Sequence, residues 1–391
     1  MAGPAAETVS SVEEALLLRN QVFHEYFSRE ATRIAAACRE MAERFLRGGR
    51  LLAFGRGPYA TDAQHVSVEF VHPVIVGKRA LPAIDLSLSF WSWVEVIAQP
   101  DDMLMGFGPP TGDPHVEAAL RYGRECGAMT FALPGHHGSY AFESGSRDPF
   151  IHQELQEVLY HTLWETVHVY FEHRELGHDV GDAGFLYPFL GSTQHGADNL
   201  LPQVADSILM KVADDARLRE QAASNELDSI TAAIASINQR LQRGGKLILF
   251  GNGGSATDAN DWAIDCVSPP VGLKPVPAIS LALEPAIITA VANDVGADVI
   301  FLRQLIAQAR PNDAVVAIST SGGSRNVIAA LEEARKRKLL TVALLGYDGG
   351  EIQRNGLADV CIVVSSDYIP RIQEIQASIY HIIRDRLDPG S

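Results

Sequence analysis

Two stretches decide the fold: Gly48-Gly-Arg-Leu-Leu-Ala-Phe-Gly55 and Gly244-Gly-Lys-Leu-Ile-Leu-Phe-Gly-Asn-Gly-Gly-Ser255. Each is a short apolar run ending in glycine, which is how a parallel strand buried on both faces reads. They are also copies of one another. Working outward, Ala60-Thr-Asp-Ala63 matches Ala256-Thr-Asp-Ala259, and Leu81-Pro-Ala-Ile84 matches Val276-Pro-Ala-Ile279. Pro100-Asp-Asp pairs with Pro311-Asn-Asp, and Thr130-Phe-Ala-Leu133 with Thr341-Val-Ala-Leu344. Gln153-Glu-Leu-Gln156 and Tyr160-His161 pair with Gln373-Glu-Ile-Gln376 and Tyr380-His381, at equal separation in both halves. The offset between copies grows from 196 to 211 to 220, so the first copy lacks about 15 residues after Ala83 and about nine before Gln153. Ordered matches of this kind identify an internal duplication.

Each copy opens on a helical pattern, near Val12–Leu46 and Leu209–Leu241. Strands then alternate with helices, which predicts a parallel sheet covered on both faces. Closing helices are expected at about Phe150–His173 and Arg371–Leu387, and the segment Gly177–Leu201 reads as a connection. The expected organisation is therefore residues 1–176, a linker 177–205, and 206–391. The fold class is α/β, as two tandem αβα sandwiches with mostly parallel five-stranded sheets.

Bulk properties narrow the function. The 391 residues include 32 Lys and Arg against 48 Asp and Glu, a formal net charge of −16, which argues against a nucleic-acid footprint. No apolar run is long enough for a membrane span and the N-terminus does not read as a signal peptide, so the expectation is cytoplasmic and membrane-free. Four scattered cysteines without a Cys-x-x-Cys spacing fit free thiols. A small anionic substrate remains open, because backbone N–H groups at a helix start bind phosphate without net positive charge.

The second copy offers such a cradle. Gly251-Asn-Gly-Gly-Ser255 joins a strand to a helix, and Ser319-Thr-Ser-Gly-Gly-Ser324 follows the strand Ala314–Ile318. Hydroxyl-rich turns at the carboxyl ends of parallel strands are where open α/β sheets hold ligands. With no GKS or GKT, this is not a nucleotide P-loop. Taken alone, either loop also reads as a capped strand–helix turn.

The series Gly-Asn-Gly-Gly-Ser-Ala, Asn293-Asp-Val-Gly296, Ser319-Thr-Ser-Gly-Gly-Ser324 and Arg371-Ile-Gln-Glu374 resembles the SIS (sugar isomerase) fold. Within it, the chain most resembles the phosphoheptose isomerases, which interconvert sedoheptulose 7-phosphate and a heptose 7-phosphate. The resemblance covers nearly all of the second copy and, more weakly, the first. It implies a phosphorylated sugar bound by Asn252, Gly253, Ser255, Asp294, Ser319, Thr320, Ser321, Ser324 and Gln373. It further implies a divalent metal, zinc, on a His and Glu spaced i,i+4, with a Gln and a later His on the closing helix. In the first copy these are His65, Glu69, Gln153 and His161, of which Glu69 and His161 would be the catalytic pair. Isomerisation through an enediol needs a base at carbon and an acid–base group at oxygen.

The second copy carries Asp261 and Asp265 at the first two places and keeps Gln373 and His381. Shorter carboxylates there predict weakened zinc binding and a misplaced base. Losses in the first copy are reciprocal. Tyr59 replaces the loop serine, Gly108-Pro-Pro-Thr-Gly-Asp113 replaces the hydroxyl loop, and the Asn-Asp-x-Gly segment falls in the deletion. Ser255 to Asp265 is ten residues, about 15 Å of helix, a long reach from a bound phosphate. Hence the expectation of a composite site: phosphate on the second copy, His65, Glu69 and His161 from the first. Gln153 and His161 lie about 12 Å apart along one helix, so Gln373 is an alternative ligand to Gln153.

Other features read as structural. Gly135-His-His-Gly138 is a surface loop, and Phe90, Trp91 and Trp93 are packing or interface residues. The leading expectation is an aldose–ketose isomerase of a phosphorylated sugar, assembled as a homodimer with four SIS units. The alternative is a non-catalytic sugar-phosphate-binding regulatory or partner-binding protein, to which Tyr59, Pro109, Asp261 and Asp265 point. A third is an SIS enzyme for amino-sugar phosphates.

Overall fold

The computed structural model describes residues 4–73, 78–175 and 200–390. The chain divides into two compact units. One is Asn20–Asp214; the other is Asp215–Ser391 together with the chain start through Arg19.

Helix α1 (Pro4–Leu46) precedes strand β1 (Leu51–Phe54), helix α2 (Ala60–Val71) and strand β2 (Ala83–Asp85). Helix α3 (Phe90–Ile97), β3 (Met103–Phe107), α4 (Pro114–Glu125), β4 (Met129–Leu133) and β5 (Tyr140–Ala141) follow, and α5 (Pro149–Glu175) closes the first copy. The second copy has α6 (Leu200–Asn225), α7 (Leu227–Leu241), β6 (Leu247–Gly251), α8 (Gly254–Val267) and β7 (Ala278–Ser280). Then come α9 (Pro285–Asp294), α10 (Ile300–Gln308), β8 (Ala314–Ser319), α11 (Arg325–Lys336), β9 (Leu340–Gly346), α12 (Gly350–Arg354), β10 (Val360–Val364) and α13 (Ile369–Asp385).

Both sheets are five-stranded and all their described pairings are parallel. Their orders, β2-β1-β3-β4-β5 and β7-β6-β8-β9-β10, are the same. The duplication extends to register: Leu51 lies beside Ala83 and Met103, and Leu247 beside Ala278 and Ala314. Every residue of β1, β3, β4, β6, β8 and β9 is buried, as apolar runs covered by helices on both faces require.

The repeated motifs at the strand starts have one physical cause. A side chain at Gly49 would run into the Asp101 carbonyl, and one at Gly245 into the Asn312 carbonyl. The next residue is a cation in each copy, and it bridges to a buried aspartate: Arg50 to Asp102 at 2.7 Å, Lys246 to Asp313 at 2.6 Å. At the strand ends, a side chain at Gly55 or Gly251 would meet the Tyr59 or Ser255 carbonyl, which keeps the strand-to-helix turn tight.

The deletion also has a structural form. Between β7 and β8 the second copy carries α9 and α10, whereas the first has α3 and one short 3-10 turn between β2 and β3. The Asn293-Asp294 end of α9 therefore has no counterpart.

The two compact units divide within α1 and within α6. Val12 and Leu16 of α1 are buried in the second copy's core, and the division at 214 lies within α6. Of the expected linker 177–205, residues 177–199 lie outside the described residues, and Leu200–Ala205 belong to α6.

Candidate functional site

In the first copy the turn after β1 delivers α2, whose i,i+4 spacing puts His65 and Glu69 on one face. Helix α5 brings His161 to that face. All three are buried, at 3 %, 1 % and 0 % exposure. His65 Nε2 lies 3.4 Å from His161 Nε2 and 3.8 Å from Glu69 Oε1. Tyr160 packs its ring 5.3 Å from His65, fixing the imidazole from the side. The three donors converge within 4.8 Å of one another and could hold one metal ion. Two imidazoles and a carboxylate, buried and convergent, are the donor set of a three-ligand zinc site, so the residues present fit the metal that the sequence resemblance implies.

Gln153 is placed differently. Its amide donates to Asp62 Oδ2 at 3.2 Å and approaches Thr61 Oγ1 at 3.5 Å. Asp62, buried on α2, is a residue of this neighbourhood that sequence reasoning did not select. Its membership of the repeated Ala-Thr-Asp-Ala quartet is the signal that could have found it. Gln373, in α13, is buried, and its Oε1 accepts no hydrogen bond.

The second copy builds both hydroxyl-rich loops at the carboxyl ends of its strands. Gly253 has φ 57°, which lets the backbone turn directly into α8, with Ser255 buried in its first turn. After β8, Ser319 Oγ accepts from the Gly322 amide at 3.2 Å and stands 3.5 Å from Ser324 Oγ. Ser321 Oγ accepts from the Gly323 amide at 3.2 Å. Gly322, at φ 59°, packs where a side chain would strike the Gly349 carbonyl. Asn252 and Asn326 pair reciprocally at 3.0 and 2.9 Å, tying the two loops together. Thr320 is half-buried in the second loop. Asp294 stands apart, exposed at the end of α9, where it accepts from Asn293 at 2.7 Å.

The equivalent place in the first copy is filled from within. Asp113 caps α4, accepting from the His115 and Val116 amides at 2.8 and 3.2 Å. Its other oxygen meets Arg56 at 3.2 Å. A carboxylate thus takes the helix start that a phosphate would need. Tyr59 occupies the loop serine's position with its ring 6.2 Å from that of His152.

His152 is a buried imidazole of the same copy, 3.0 Å from the Gly108 carbonyl and 2.9 Å from Ser144 Oγ. Burial pushes its pKa from 6.5 to about 4. Between those values the unfolded chain binds a proton that the folded chain refuses, so stability falls as pH falls through that window. The loss should reach about 3 kcal/mol. Urea midpoints at pH 7 and about pH 4.5 should show a smaller acid loss in His152→Gln than in the wild type; equal losses would refute this.

The second copy's counterpart of the metal set is also assembled. Asp261 and Asp265 of α8 face His381 of α13, at 3.3 and 3.4 Å from its Nε2. Burial, and then the Asp261 carboxylate, push the Asp265 carboxyl upward. The loop histidine His136 is exposed, as a surface loop predicts.

The SIS domain family model matches residues 212–346. The phosphoheptose isomerase of Trichlorobacter lovleyi is 43% identical over 166 residues, covering 41% of this chain and 84% of that protein. That of Chlorobaculum tepidum is 41% identical over 180 residues, covering 45% and 85%. Two solved structures share the tandem fold. The tagatose-6-phosphate ketose/aldose isomerase from Escherichia coli has a TM-score of 0.53 at 14% identity, covering 99% of this chain and 94% of that one. The C-terminal domain of glucosamine-fructose-6-phosphate aminotransferase from Francisella tularensis has a TM-score of 0.57 at 8% identity, covering 95% of each. No helix among the described residues is long and apolar enough to cross a membrane. With its doubled parallel sheet, hydroxyl-rich loops and relatives matched over most of their length, the chain belongs to the phosphoheptose isomerase family of SIS-domain proteins.

Proposed function

We propose that the protein is an aldose–ketose isomerase of a phosphorylated sugar of heptose size, with sedoheptulose 7-phosphate as the first substrate to test. The observation that carries the reading is the buried convergence of His65, Glu69 and His161, in a chain whose other copy keeps the hydroxyl loops. The copies divide the labour in a composite site. Backbone amides at the start of α8 and the hydroxyls of Ser255, Ser319, Thr320, Ser321 and Ser324 hold the phosphate, while Asn252 and Gly253 shape the first loop. Asp294 and Gln373 contact sugar hydroxyls.

Glu69 takes the proton from one carbon and returns it to the neighbouring carbon of the enediol. His161 exchanges the proton at oxygen. His65, Glu69 and His161, with a glutamine from Gln153 or Gln373, would hold a divalent cation, zinc, which when bound polarises the substrate carbonyl. The buried site excludes water from the enediol intermediate. Assembly as a homodimer suits the apolar side chains left exposed on α3 and α9, among them Trp93, Val96 and Ile287.

The decisive experiment is incubation of the purified chain with sedoheptulose 7-phosphate, followed by NMR for the aldose product. Absence of conversion with zinc supplied would sink the reading. Ser319→Ala removes a hydrogen bond to a charged group, worth about 1.5–3 kcal/mol, so KM should rise about 10- to 100-fold. An unchanged KM would remove Ser319 from the phosphate site.

A further inference from the structure

We propose that the first copy carries a nucleotide-binding site of its own, in the cleft between α3 and the start of α4. The inference does not depend on the isomerase reading, and none of the residues lining the cleft belongs to the site described above.

A cavity of about 510 Å³ opens there, lined by Arg56, Phe90, Trp91, His115 and Ala118. Small-molecule sites fall in this range, roughly 300–1,000 Å³. The cavity lies at the carboxyl end of the first sheet. Arg56 follows β1, α3 follows β2, and His115 stands in the first turn of α4, after β3. Open α/β sheets hold ligands at this end.

Comparing the two copies shows how the cleft came to be lined in this way. Phe90 stacks on Phe54 at 4.9 Å, as Phe301 of α10 stacks on Phe250 at 5.2 Å. Helix α3 is therefore the counterpart of α10, and the helix that the first copy lacks is α9. At the offsets of 196 and 211, Arg56 matches Asn252 and His115 matches Asn326. The two asparagines hydrogen-bond to each other, whereas the guanidinium and the imidazole in their places line an open cavity.

This lining joins a π-face to a phosphate fork. Trp91 is 45 % exposed, and its ring stands 6.0 Å from that of Tyr122 in α4. An aromatic left open in a cleft is a platform on which any nucleobase can stack. Arg56 gives Asp113 one hydrogen bond at 3.2 Å, and a guanidinium has five N–H donors in a fork that matches phosphate. The ion pair is half-exposed and therefore weak, so an anion can share the fork. His115, exposed beside it, adds an imidazole nitrogen. A nucleotide uses both halves of the cleft. A sugar phosphate would leave Trp91 idle, and a nucleoside would leave Arg56 idle.

The test is calorimetric titration of the full-length protein with AMP and with GMP, beside adenosine, which lacks the phosphate, and ribose 5-phosphate, which lacks the base. One of the nucleotides should bind with a Kd below about 1 mM, at least about 10-fold more tightly than adenosine or ribose 5-phosphate. Trp91→Ala and Arg56→Gln should each weaken that binding about 10-fold or more, with unchanged circular-dichroism spectra. Ser319→Ala should leave it at the wild-type value. Absence of binding of both nucleotides to the wild type at about 1 mM overturns the proposal whether or not a variant folds. So does ribose 5-phosphate binding as tightly as the nucleotides. Nucleotide binding lost in Ser319→Ala and kept in Trp91→Ala would place the ligand on the hydroxyl loops and overturn it too.

Discussion

Glu69→Gln should lower turnover of the sugar phosphate by about 10³-fold, the usual worth of a positioned general base. The substitution keeps the side chain's size and its place in the helix, so the loss is chemical. Gln cannot take a proton from carbon, and it replaces an anionic donor in the His65–Glu69–His161 set by a neutral one. The loss should fall on kcat and leave the phosphate contacts, hence KM, close to wild type. A Glu69→Gln enzyme with more than a tenth of wild-type kcat would show that the base lies elsewhere and would return the first copy to a structural role.

The second large effect is on stability. Arg371, at the head of α13, is buried together with Asp215 and Glu374. It bonds Glu374 and lies 3.7 Å from Asp215. Burial, and then Glu374, push the Asp215 carboxyl well above the usual carboxylate range. Arg219 of α6 sits in the same region, donating to Ser378 at 3.1 Å. Arg371→Met would keep the volume and leave two buried carboxylates without that cation. Breaking a buried pair in this way costs about 3–5 kcal/mol. Calorimetry should show a Tm lower by about 10 °C. Arg371→Lys should recover part of the loss, because it restores the charge without the fork. A melting point within two degrees of wild type in Arg371→Met would show that the arginine does not stabilise the head of α13.

Much of this was legible in the residues, for identifiable reasons. Parallel strands covered on both faces must be apolar at every position, so Leu51–Phe54 and Leu247–Gly251 announce themselves. The Gly-Gly pairs and Pro-Asp/Asn-Asp turns recur because the close approach of Gly49 to Asp101 and of Gly245 to Asn312 recurs. The i,i+4 pair His65 and Glu69 is local, so its convergence follows from helix geometry. The division of α1 between the two compact units was illegible, because a long amphipathic helix carries no Gly or Pro to mark such a point. Val12 and Leu16 look like any other core positions of α1. Contacts between remote helices were also hidden. Nothing in the spacing of Gln153 says that its amide turns to Asp62. Nor does the sequence say that Arg56 reaches the cap Asp113, 57 residues away. The loss of hydroxyls and the Asp113 carboxylate in the place of Ser324 were visible in the sequence; its capping bonds to the His115 and Val116 amides were not.

The unequal division between the copies is tested most directly by calorimetric titration of sedoheptulose 7-phosphate into Glu69→Gln and Ser319→Ala. The division of labour predicts near wild-type affinity in the inactive Glu69→Gln and affinity weakened about 10-fold or more in Ser319→Ala. Weakened binding in Glu69→Gln together with wild-type binding in Ser319→Ala would contradict it.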